Sequence, residues 1–315
     1  MTVLLLIGIV AGLVLLTVSA DQFVLGAARV AVVLRLSTVV IGAVVIGFGT
    51  SAPEMVVSGL AAANGSLDIA VGNIIGSNIA NLALVLGVAS MVTPILVGSS
   101  TIRREAPLSL GAVLVFAGMV QGGLTRIEGG ILALLLVGAL GYILLASRSE
   151  ADDELTAEVD EYLDDDGLHP GREWARTLLG LVGTLVAAQV LVYCATELAA
   201  TIGLKEGFVG VTIVAIGTSL PELATSLQAV RKDETDLILG NLLGSNIFNS
   251  LAVGAVAAFA GPGPVADVSL TTIGVTLMIV IAVATTIAML TARRVVRWEG
   301  AALLTTYIAV LPLLA

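Results

Sequence analysis

The sequence GTSAPE at residues 49–54, followed by GNIIGSNIAN at residues 72–81, occurs twice in this chain. The second copy reads GTSLPE at residues 217–222 and GNLLGSNIFN at residues 240–249, which places it 217 − 49 = 168 residues later without a gap. Over a 37-residue window that contains each copy, 15 positions are identical. A repeat of this length indicates a chain built from two related halves, so it constrains the fold more than any single residue does.

The composition is that of a membrane protein. Hydrophobic residues make up 57% of the 315 residues and charged residues 12%, and the mean hydropathy is +1.07. A soluble domain has about 45–50% apolar and about 25% charged residues. The apolar runs are continuous and about 20 residues long, which favours spanning helices over the alternating pattern of a β-barrel.

Ten apolar segments are candidates for membrane-spanning helices, five on each side of an acidic segment. The sequence therefore predicts an all-α polytopic membrane protein with a first five-helix repeat at 1–147, an acidic loop at 148–173 and a second five-helix repeat at 174–315. Because five is odd, the second repeat must enter from the opposite side, which makes the repeats inverted in topology. The predicted spans are roughly 2–20, 37–63, 69–92, 107–121, 126–147, 174–199, 206–231, 236–260, 267–291 and 299–315.

The distribution of lysine and arginine predicts the orientation. With the N-terminus outside, 12 of the 14 basic residues fall in inside loops, and only Arg126 and Lys205 fall outside. Cytoplasmic loops carry the excess of basic residues in membrane proteins. We therefore expect a multi-pass protein of the cell membrane with both termini outside and the acidic loop in the cytoplasm.

The acidic segment accounts for most of the net charge. Residues 148–176 contain 11 acids and 3 arginines, a net charge of −8 out of −10 for the whole chain. We interpret it as a solvated linker that is too short for a separate domain. The alternative is a regulatory calcium site, because Asp164, Asp166, Gly167 and Glu173 have EF-hand spacing, although Tyr162 stands at the first ligand position.

The first motif places a proline and a glutamate side by side within an apolar span. Pro53 and Pro221 lack an N–H, so each helix is expected to break or kink there and to free backbone carbonyls. In lipid such carbonyls must line a cavity or find partners, which makes them candidate cation ligands. Those carbonyls belong to Gly49, Thr50, Gly217 and Thr218.

Glu54 and Glu222 each follow a proline directly, in the first turn of the restarted helix, where a carboxylate is favoured. An ionisable group at mid-membrane costs about 2.5–3.5 kcal/mol, so two at matched positions indicate function. The alternative is a pair of protonated glutamates that each make a structural hydrogen bond.

The second motif forms a polar stripe on an apolar helix, because its polar residues recur every four positions. We expect Ser77, Asn81, Ser245 and Asn249 to be ligands if each stripe faces the glutamate of its own repeat. Asn73 and Asn241 fit equally well as ligands or as hydrogen-bonding contacts between helices. The pairs Gly72/Gly76 and Gly240/Gly244 predict close helix packing.

The predicted site contains only oxygen ligands, from carboxylates, hydroxyls, amides and carbonyls. Calcium prefers such a shell, with about six to eight oxygens. Because no histidine or cysteine accompanies the motifs, a zinc or copper site is disfavoured.

The paired motifs resemble the two α-repeats of the sodium/calcium exchangers, of prokaryotic type, within the Ca²⁺:cation antiporter superfamily. The resemblance covers both halves and implies ten helices and alternating access, with three sodium ions exchanged for one calcium ion. It further implies a transporter rather than an enzyme, with Ca²⁺ and Na⁺ as substrates, the lipid bilayer as its surroundings, no cofactor beyond the transported ions and no nucleic-acid partner.

The resemblance also implies roles for particular residues. Glu54 and Glu222 would be the central calcium ligands, and some relatives carry aspartate at Asn249, a difference that bears on sodium affinity and proton sensitivity. The other implied ligands are carbonyl or hydroxyl oxygens of Thr50 and Thr218, sodium-site hydroxyls of Ser51, Ser77, Ser219 and Ser245, carbonyls of Gly47 and Ala215, and the side chains of Asn81 and Asn249.

Three other functions compete with sodium/calcium exchange. A proton/calcium exchanger typically has a glutamate where Gly76 and Gly244 stand here. An ion channel with inverted halves would share the broken helices but conduct without a counter-ion. An intramembrane hydrolase is disfavoured, because the one histidine, His169, lies in the loop far from the motif serines.

Overall fold

The computed structural model describes residues 2–33, 51–98, 101–147, 169–231 and 235–314. Within these ranges the chain is almost entirely helical, and eight helices are long and apolar enough to cross a membrane. The predicted class, an α-helical polytopic membrane protein, is therefore confirmed. The count of ten spans and the inversion of the repeats stay predictions.

The helices of the first half are assigned in chain order. α1 is Thr2–Val33 and α2 is Ala52–Ala63. α3 runs through an α-helix at Leu67–Ile79, a π-helical turn at Ala80–Val85 and an α-helix at Leu86–Val92. α4 joins a π-helical turn at Thr101–Glu105 to Ala106–Met119, and α5 is Arg126–Ser147.

The second half begins with α6 at Pro170–Ile202. α7 contains Glu206–Val209, a π-helical turn at Gly210–Val214, Ala215–Thr218 and, after a break at Ser219, Leu220–Arg231. α8 contains Thr235–Phe248, a π-helical turn at Asn249–Val253 and Gly254–Ala260. α9 joins Leu270–Gly274 to Val275–Ala292, and α10 is Arg297–Val310 with a 3₁₀ turn at Leu311–Leu314. The strands β1, Ile95–Leu96, and β2, Arg294–Val295, pair antiparallel.

The sequence repeat reappears in the helix boundaries. Adding 168 to the ends of α2 gives 220 and 231, the ends of Leu220–Arg231 in α7. The same shift turns Leu86–Val92 of α3 into Gly254–Ala260 of α8. In both copies a π-helical turn contains the last asparagine of the motif, Asn81 or Asn249. Such turns occur mostly as single widened turns inside α-helices and are frequent at functional sites.

Helices α3 and α7 pack backbone against backbone through glycine. A Cβ atom added at Gly72 would lie 2.6 Å from the carbonyl oxygen of Gly207, and one at Gly76 would lie 2.5 Å from both Val211 O and Ala215 Cβ. Small residues let helices approach this closely where lipid supplies no hydrophobic force between them. The predicted close packing of the first glycine pair is thus confirmed, and it brings the polar stripe of α3 beside the broken part of α7.

The long helices α1 and α6 form the most extensive pair in the described part of the chain. They also meet through glycine, since a Cβ atom at Gly180 would lie 2.4 Å from the backbone nitrogen of Phe23. At the end of this pair the buried carboxylate of Glu173 lies 3.6 Å from Arg29 Nη1 and 3.1 Å from Arg176 Nη1. These ion pairs engage the carboxylate of Glu173 in this conformation. The other candidate ligands of the EF-hand alternative lie outside the described residues, so that alternative stays untested.

Helix α1 is longer than the predicted span of 2–20. It has 32 residues, about 48 Å at 1.5 Å per residue, whereas the hydrocarbon core is about 30 Å thick. The helix continues through the polar residues Asp21 and Arg29, which lie beyond the end of the predicted span. Hydropathy therefore located the span but underestimated the helix.

A candidate cation site at the two motifs

Glu54 and Glu222 occupy matching places in the fold. Glu54 lies in the first turn of α2 and Glu222 in the first turn of Leu220–Arg231, and the two are 0% and 1% exposed. The residue before each helix segment has nearly the same backbone conformation: Ser51 has φ −90° and ψ 7°, and Ser219 has φ −86° and ψ 6°. The predicted break before Pro221 is confirmed, because α7 is interrupted at Ser219.

The two glutamates lie within electrostatic range of each other although they belong to different repeats. They lie close enough for their charges to repel, and the hydroxyl of Thr218 lies beside Glu54. Neither oxygen of Glu54 makes a hydrogen bond within the described chain, and Oε2 of Glu222 makes none either. Burying carboxylates without partners is strongly unfavourable unless a cation or proton balances them.

The motif serines and asparagines also present unpartnered oxygens. Ser51 stands at the N-cap of α2 but makes no capping hydrogen bond, which serine at that position usually does. Buried atoms without a hydrogen-bond partner in the described ranges include the Oγ atoms of Ser51 and Ser219, Oδ1 of Asn81, and both Oδ1 and Nδ2 of Asn249. Buried polar atoms are normally paired, so several unpaired ones within two matching motifs indicate a place for a ligand or water.

Three of the predicted hydroxyl ligands already make hydrogen bonds. Ser245 Oγ donates to Glu222 Oε1 at 3.5 Å, so in the second repeat the polar stripe faces its own glutamate. Ser77 Oγ donates to Asn73 Oδ1 at 3.5 Å, and Thr218 Oγ1 lies 3.1 Å from the same oxygen. These hydroxyls keep lone pairs that could still coordinate a cation.

The carbonyl of Ala215 is engaged by the protein itself. It accepts a hydrogen bond from the backbone nitrogen of Ser219 at 3.0 Å, and Thr218 Oγ1 lies 3.3 Å away. This oxygen therefore already accepts a backbone hydrogen bond in this conformation, and its role as a sodium ligand stays a prediction. Gly47 and Thr50, together with the carbonyl of Gly49, lie outside the described residues.

Asn73 and Asn241 form hydrogen bonds to side chains of neighbouring helices in this conformation. Asn73 Nδ2 donates to Ser58 Oγ at 2.9 Å, while its Oδ1 accepts from the hydroxyls of Ser77 and Thr218. Asn241 Nδ2 donates to Thr225 Oγ1 at 3.1 Å. Of the two roles left open from the sequence, hydrogen bonding between helices is the one observed.

Sequence reasoning missed a group of residues that joins the two motifs. Asn81 Nδ2 donates to Asn246 Oδ1 at 3.0 Å, and Asn246 Nδ2 donates to the carbonyl of Asn78 at 3.4 Å. Ser250 Oγ donates to Asn78 Oδ1 at 3.3 Å. These bonds tie α3 to α8 and leave Oδ1 of Asn81 available. The signal was present, since Asn78 and Asn246 are identical in both copies, but their side chains fall off the stripe defined by a four-residue period.

The donor set suits a hard cation. Within the described residues no three histidine, cysteine, aspartate or glutamate side chains surround a common point, so a site here must combine two carboxylates with hydroxyl and amide oxygens. Na⁺ and Ca²⁺ accept such a mixed oxygen shell, and calcium tolerates irregular geometry.

Comparison with known proteins gives a consistent set of similarities. A family model described as sodium/calcium exchanger protein matches residues 4–145 and again residues 173–314. The chain is 43% identical to the putative antiporter CaxA of Alkalimonas amylolytica over 81% of this chain and 80% of that protein. It is 40% identical to the inner membrane protein YrbG of Escherichia coli over 82% of this chain and 80% of that protein.

Two further similarities extend over nearly the whole length. The sodium/calcium exchanger MaX1 of Methanosarcina acetivorans is 30% identical over 96% of both chains. A solved structure of the sodium-calcium exchanger NCX_Mj superposes with a TM-score of 0.67 and 29% identity, and covers 99% of both chains.

Proposed function

The chain belongs to the sodium/calcium exchanger family, and from that premise we propose that it exchanges Na⁺ for Ca²⁺ by alternating access and moves net charge in each cycle. Family membership and the likeness to a solved exchanger establish the coarser function, antiport of calcium against another cation across a membrane. The observation that carries the finer proposal is that Glu54 and Glu222 are both buried, lie within electrostatic range of each other and lack full hydrogen bonding, as do several serine and asparagine oxygens of the same motifs.

The architecture that suits this function is a pair of inverted five-helix repeats with ten spans. Three observations support it: the helix boundaries repeat at the offset of the motifs, the family model matches the chain twice, and hydrogen bonds join Asn81 to Asn246 across the repeats. We propose repeats at 1–147 and 174–315, joined by the acidic loop at 148–173.

The cation ligands follow from the same pairing of motifs. Glu54 and Glu222 lie at the centre and bind calcium, with unpartnered Asn81 and Asn249 oxygens beside them. Serine hydroxyls and freed carbonyls form the sodium positions on either side. The proposed ligand set is Gly47, Thr50, Ser51, Glu54, Ser77, Asn81, Ala215, Thr218, Ser219, Glu222, Ser245 and Asn249.

Sodium is favoured over protons as the coupling ion by the packing at Gly76. Proton/calcium exchangers typically have a glutamate at this position of the motif. Here a Cβ atom alone would lie 2.5 Å from both Val211 O and Ala215 Cβ, so a glutamate side chain cannot enter without separating α3 from α7. Gly244, where a Cβ atom would meet no other heavy atom within 4 Å in the described structure, lacks the carboxylate by sequence alone. Neither repeat therefore has the additional carboxylate that is typical of proton/calcium exchangers.

The charges explain why exchange should be electrogenic. Two glutamates neutralise one Ca²⁺, whereas three Na⁺ leave a net charge of about +1, because Asn81 and Asn249 are neutral. Moving that charge is worth about 2.3 kcal/mol per 100 mV, and three sodium ions on a tenfold gradient add about 4.2 kcal/mol. The sum of about 6.5 kcal/mol corresponds to a calcium gradient of about 10⁴–10⁵.

We expect an outward sodium gradient to drive calcium into vesicles when pH is clamped equal on both sides. A potassium diffusion potential should change the initial rate, because each cycle carries charge. The measurement is radioactive or fluorescent calcium uptake by the reconstituted protein, with protein-free vesicles as the control. Uptake that ignores sodium and follows an imposed pH gradient would establish proton coupling, and uptake that needs no counter-ion would establish a channel.

The orientation makes a separate prediction. With Cys194 replaced by alanine, a cysteine introduced at Asp165 should resist an impermeant thiol reagent added outside intact cells, because the charge bias places the acidic loop inside. The matched control is Gly122→Cys, an exposed position in the short connection after α4 that should face outside and label readily. The reverse labelling pattern would invert the proposed topology.

A further inference from the structure

Ser226 has a buried hydroxyl that the proposed ligand set does not use. The residue is 1% exposed, and its Oγ has no hydrogen-bond partner in the described part of the chain. It lies four positions after Glu222, so both side chains project from one face of the same helix segment. Oε2 of Glu222 is unpartnered as well. Two oxygens without partners thus lie one helical turn apart, on the side of Glu222 away from the break at Ser219.

The counterpart in the first repeat is fully bonded. Subtracting 168 from 226 gives Ser58, which is 0% exposed. Its Oγ accepts from Asn73 Nδ2 at 2.9 Å and lies 3.4 Å from the carbonyl oxygen of Ala70, to which it donates. Asn73, the motif asparagine of the first repeat, therefore pairs with Ser58 Oγ. The first repeat has no unpartnered hydroxyl at this position.

A single sequence difference explains why the repeats diverge here. Residue 57 is valine, whereas its counterpart 225 is threonine. Asn241 Nδ2 donates to Thr225 Oγ1 at 3.1 Å. Asn241 is the counterpart of Asn73, so the amide that matches the one bonded to Ser58 is not available to Ser226. Thr225 Oγ1 lies 3.1 Å from the carbonyl oxygens of both Pro221 and Glu222, and the carbonyl of Glu222 is where a helical serine at 226 would usually donate. Ser226 is left without either partner.

We propose that Ser226 Oγ and Glu222 Oε2 form an additional position for a hard cation, present in the second repeat only, through which transported ions pass on their way to or from the central site. A hydroxyl and a carboxylate oxygen are ligands that Na⁺ and Ca²⁺ accept. The inference rests on the proposed exchange function. It means that the ion pathway has an additional ligand position in the second repeat and none in the first, although the motifs of the two repeats match.

The first test compares alanine at the two serines. Ser226→Ala should keep or raise the unfolding temperature, because it removes a buried hydroxyl that has no partner. It should also raise the apparent KM for calcium by about tenfold, the effect of losing one ligand of hydrogen-bond strength. Ser58→Ala should lower the unfolding temperature, because it breaks two hydrogen bonds. A destabilised Ser226→Ala, or one with wild-type KM, would overturn the proposal.

The second test changes the metal preference of the proposed position, an effect that altered packing would not produce. In a Cys194→Ala background, Ser226→Cys replaces a hard oxygen by a soft sulfur of similar size, and Cd²⁺ prefers thiolate. Cadmium bound between this thiolate and Glu222 should inhibit calcium exchange at a concentration about tenfold below that needed for the parent. Ser58→Cys, whose sulfur lies among Asn73 and Ala70, should keep the cadmium sensitivity of the parent.

The controls separate this inference from the proposed function. Sodium-driven calcium uptake by the Cys194→Ala parent tests the exchange function without reference to Ser226. If the parent exchanges and Ser226→Cys shows no greater cadmium sensitivity than the parent or Ser58→Cys, the additional position does not exist. If the parent does not exchange sodium for calcium, the proposed function fails, and cadmium inhibition of whatever calcium flux remains still reports on the site.

Discussion

Glu54→Gln and Glu222→Gln should each abolish calcium exchange in a protein that still folds. Each substitution removes one of the two charges that balance calcium, and we expect the exchange rate to fall at least about a hundredfold, equivalent to about 2.7 kcal/mol. The neutral amide has nearly the shape of the carboxyl group, so packing at these fully buried positions is kept. Because the two carboxylates repel each other without a cation, either variant should unfold at the same or a higher temperature in calcium-free buffer.

The measurements are sodium-driven calcium uptake in vesicles and thermal unfolding with and without calcium. Calcium should raise the unfolding temperature of the wild type, because a ligand that binds the folded state stabilises it, and should do so much less for the variants. Glu197→Gln, the same change on α6 outside the motifs, is the matched control and should transport normally. Normal flux in a folded Glu54 or Glu222 variant would remove that residue from the site.

Gly76→Ala should lower both stability and transport, even though it adds only one methyl group. That methyl carbon would lie 2.5 Å from Val211 O and 2.8 Å from Val211 Cα. These are backbone atoms that cannot rotate away, so α3 and α7 must move apart. Overpacking of this kind typically costs about 1–3 kcal/mol. The proposed ligands Ser77 and Ala215 stand at the same contact, so their displacement should reduce calcium exchange together with the unfolding temperature.

Gly118→Ala provides the control for this prediction. Gly118 is an exposed glycine of α4, and a Cβ atom there meets no other heavy atom within 4 Å in the described structure. Alanine stabilises a helix by about 0.5–1 kcal/mol relative to glycine, so this variant should be as stable as the wild type or slightly more so. Equal unfolding temperatures and fluxes for Gly76→Ala and the wild type would mean that the two helices do not pack through this glycine.

The sequence alone was enough for several features that depend on local chemistry. Apolar runs identified the membrane helices, because the cost of exposing a peptide group to lipid leaves few other structures. Proline identified the break in α7, because it lacks the N–H that a continuous helix needs. The same rule placed Glu54 and Glu222 in first turns, and the matched motifs predicted that both halves would share these features.

Other features depend on which helix faces which, and periodicity does not specify that. A four-residue period showed that Asn73, Ser77 and Asn81 share one face of α3, but not that Asn73 would be engaged by Ser58 and Thr218. Nor did it indicate that Asn78 and Asn246 would join the repeats, because their partners lie on helices about 168 residues away along the chain. The full length of α1 was also missed, since hydropathy reports the apolar layer rather than the hydrogen bonds of the helix.

Ser58 and Ser226 show most directly what the tertiary structure decided. The aligned repeats present the same serine four residues after the same glutamate, and local sequence gives no reason to treat them differently. In the folded chain Ser58 accepts a hydrogen bond from Asn73, while Ser226 has no partner because the matching amide of Asn241 donates to Thr225. A hydrogen-bond donor can serve only the acceptors within its reach, and that reach is set by the packing of neighbouring helices. The residue types and the paired motifs were therefore determined by the sequence, whereas the choice of which oxygens stay free for a cation was made only when the helices packed.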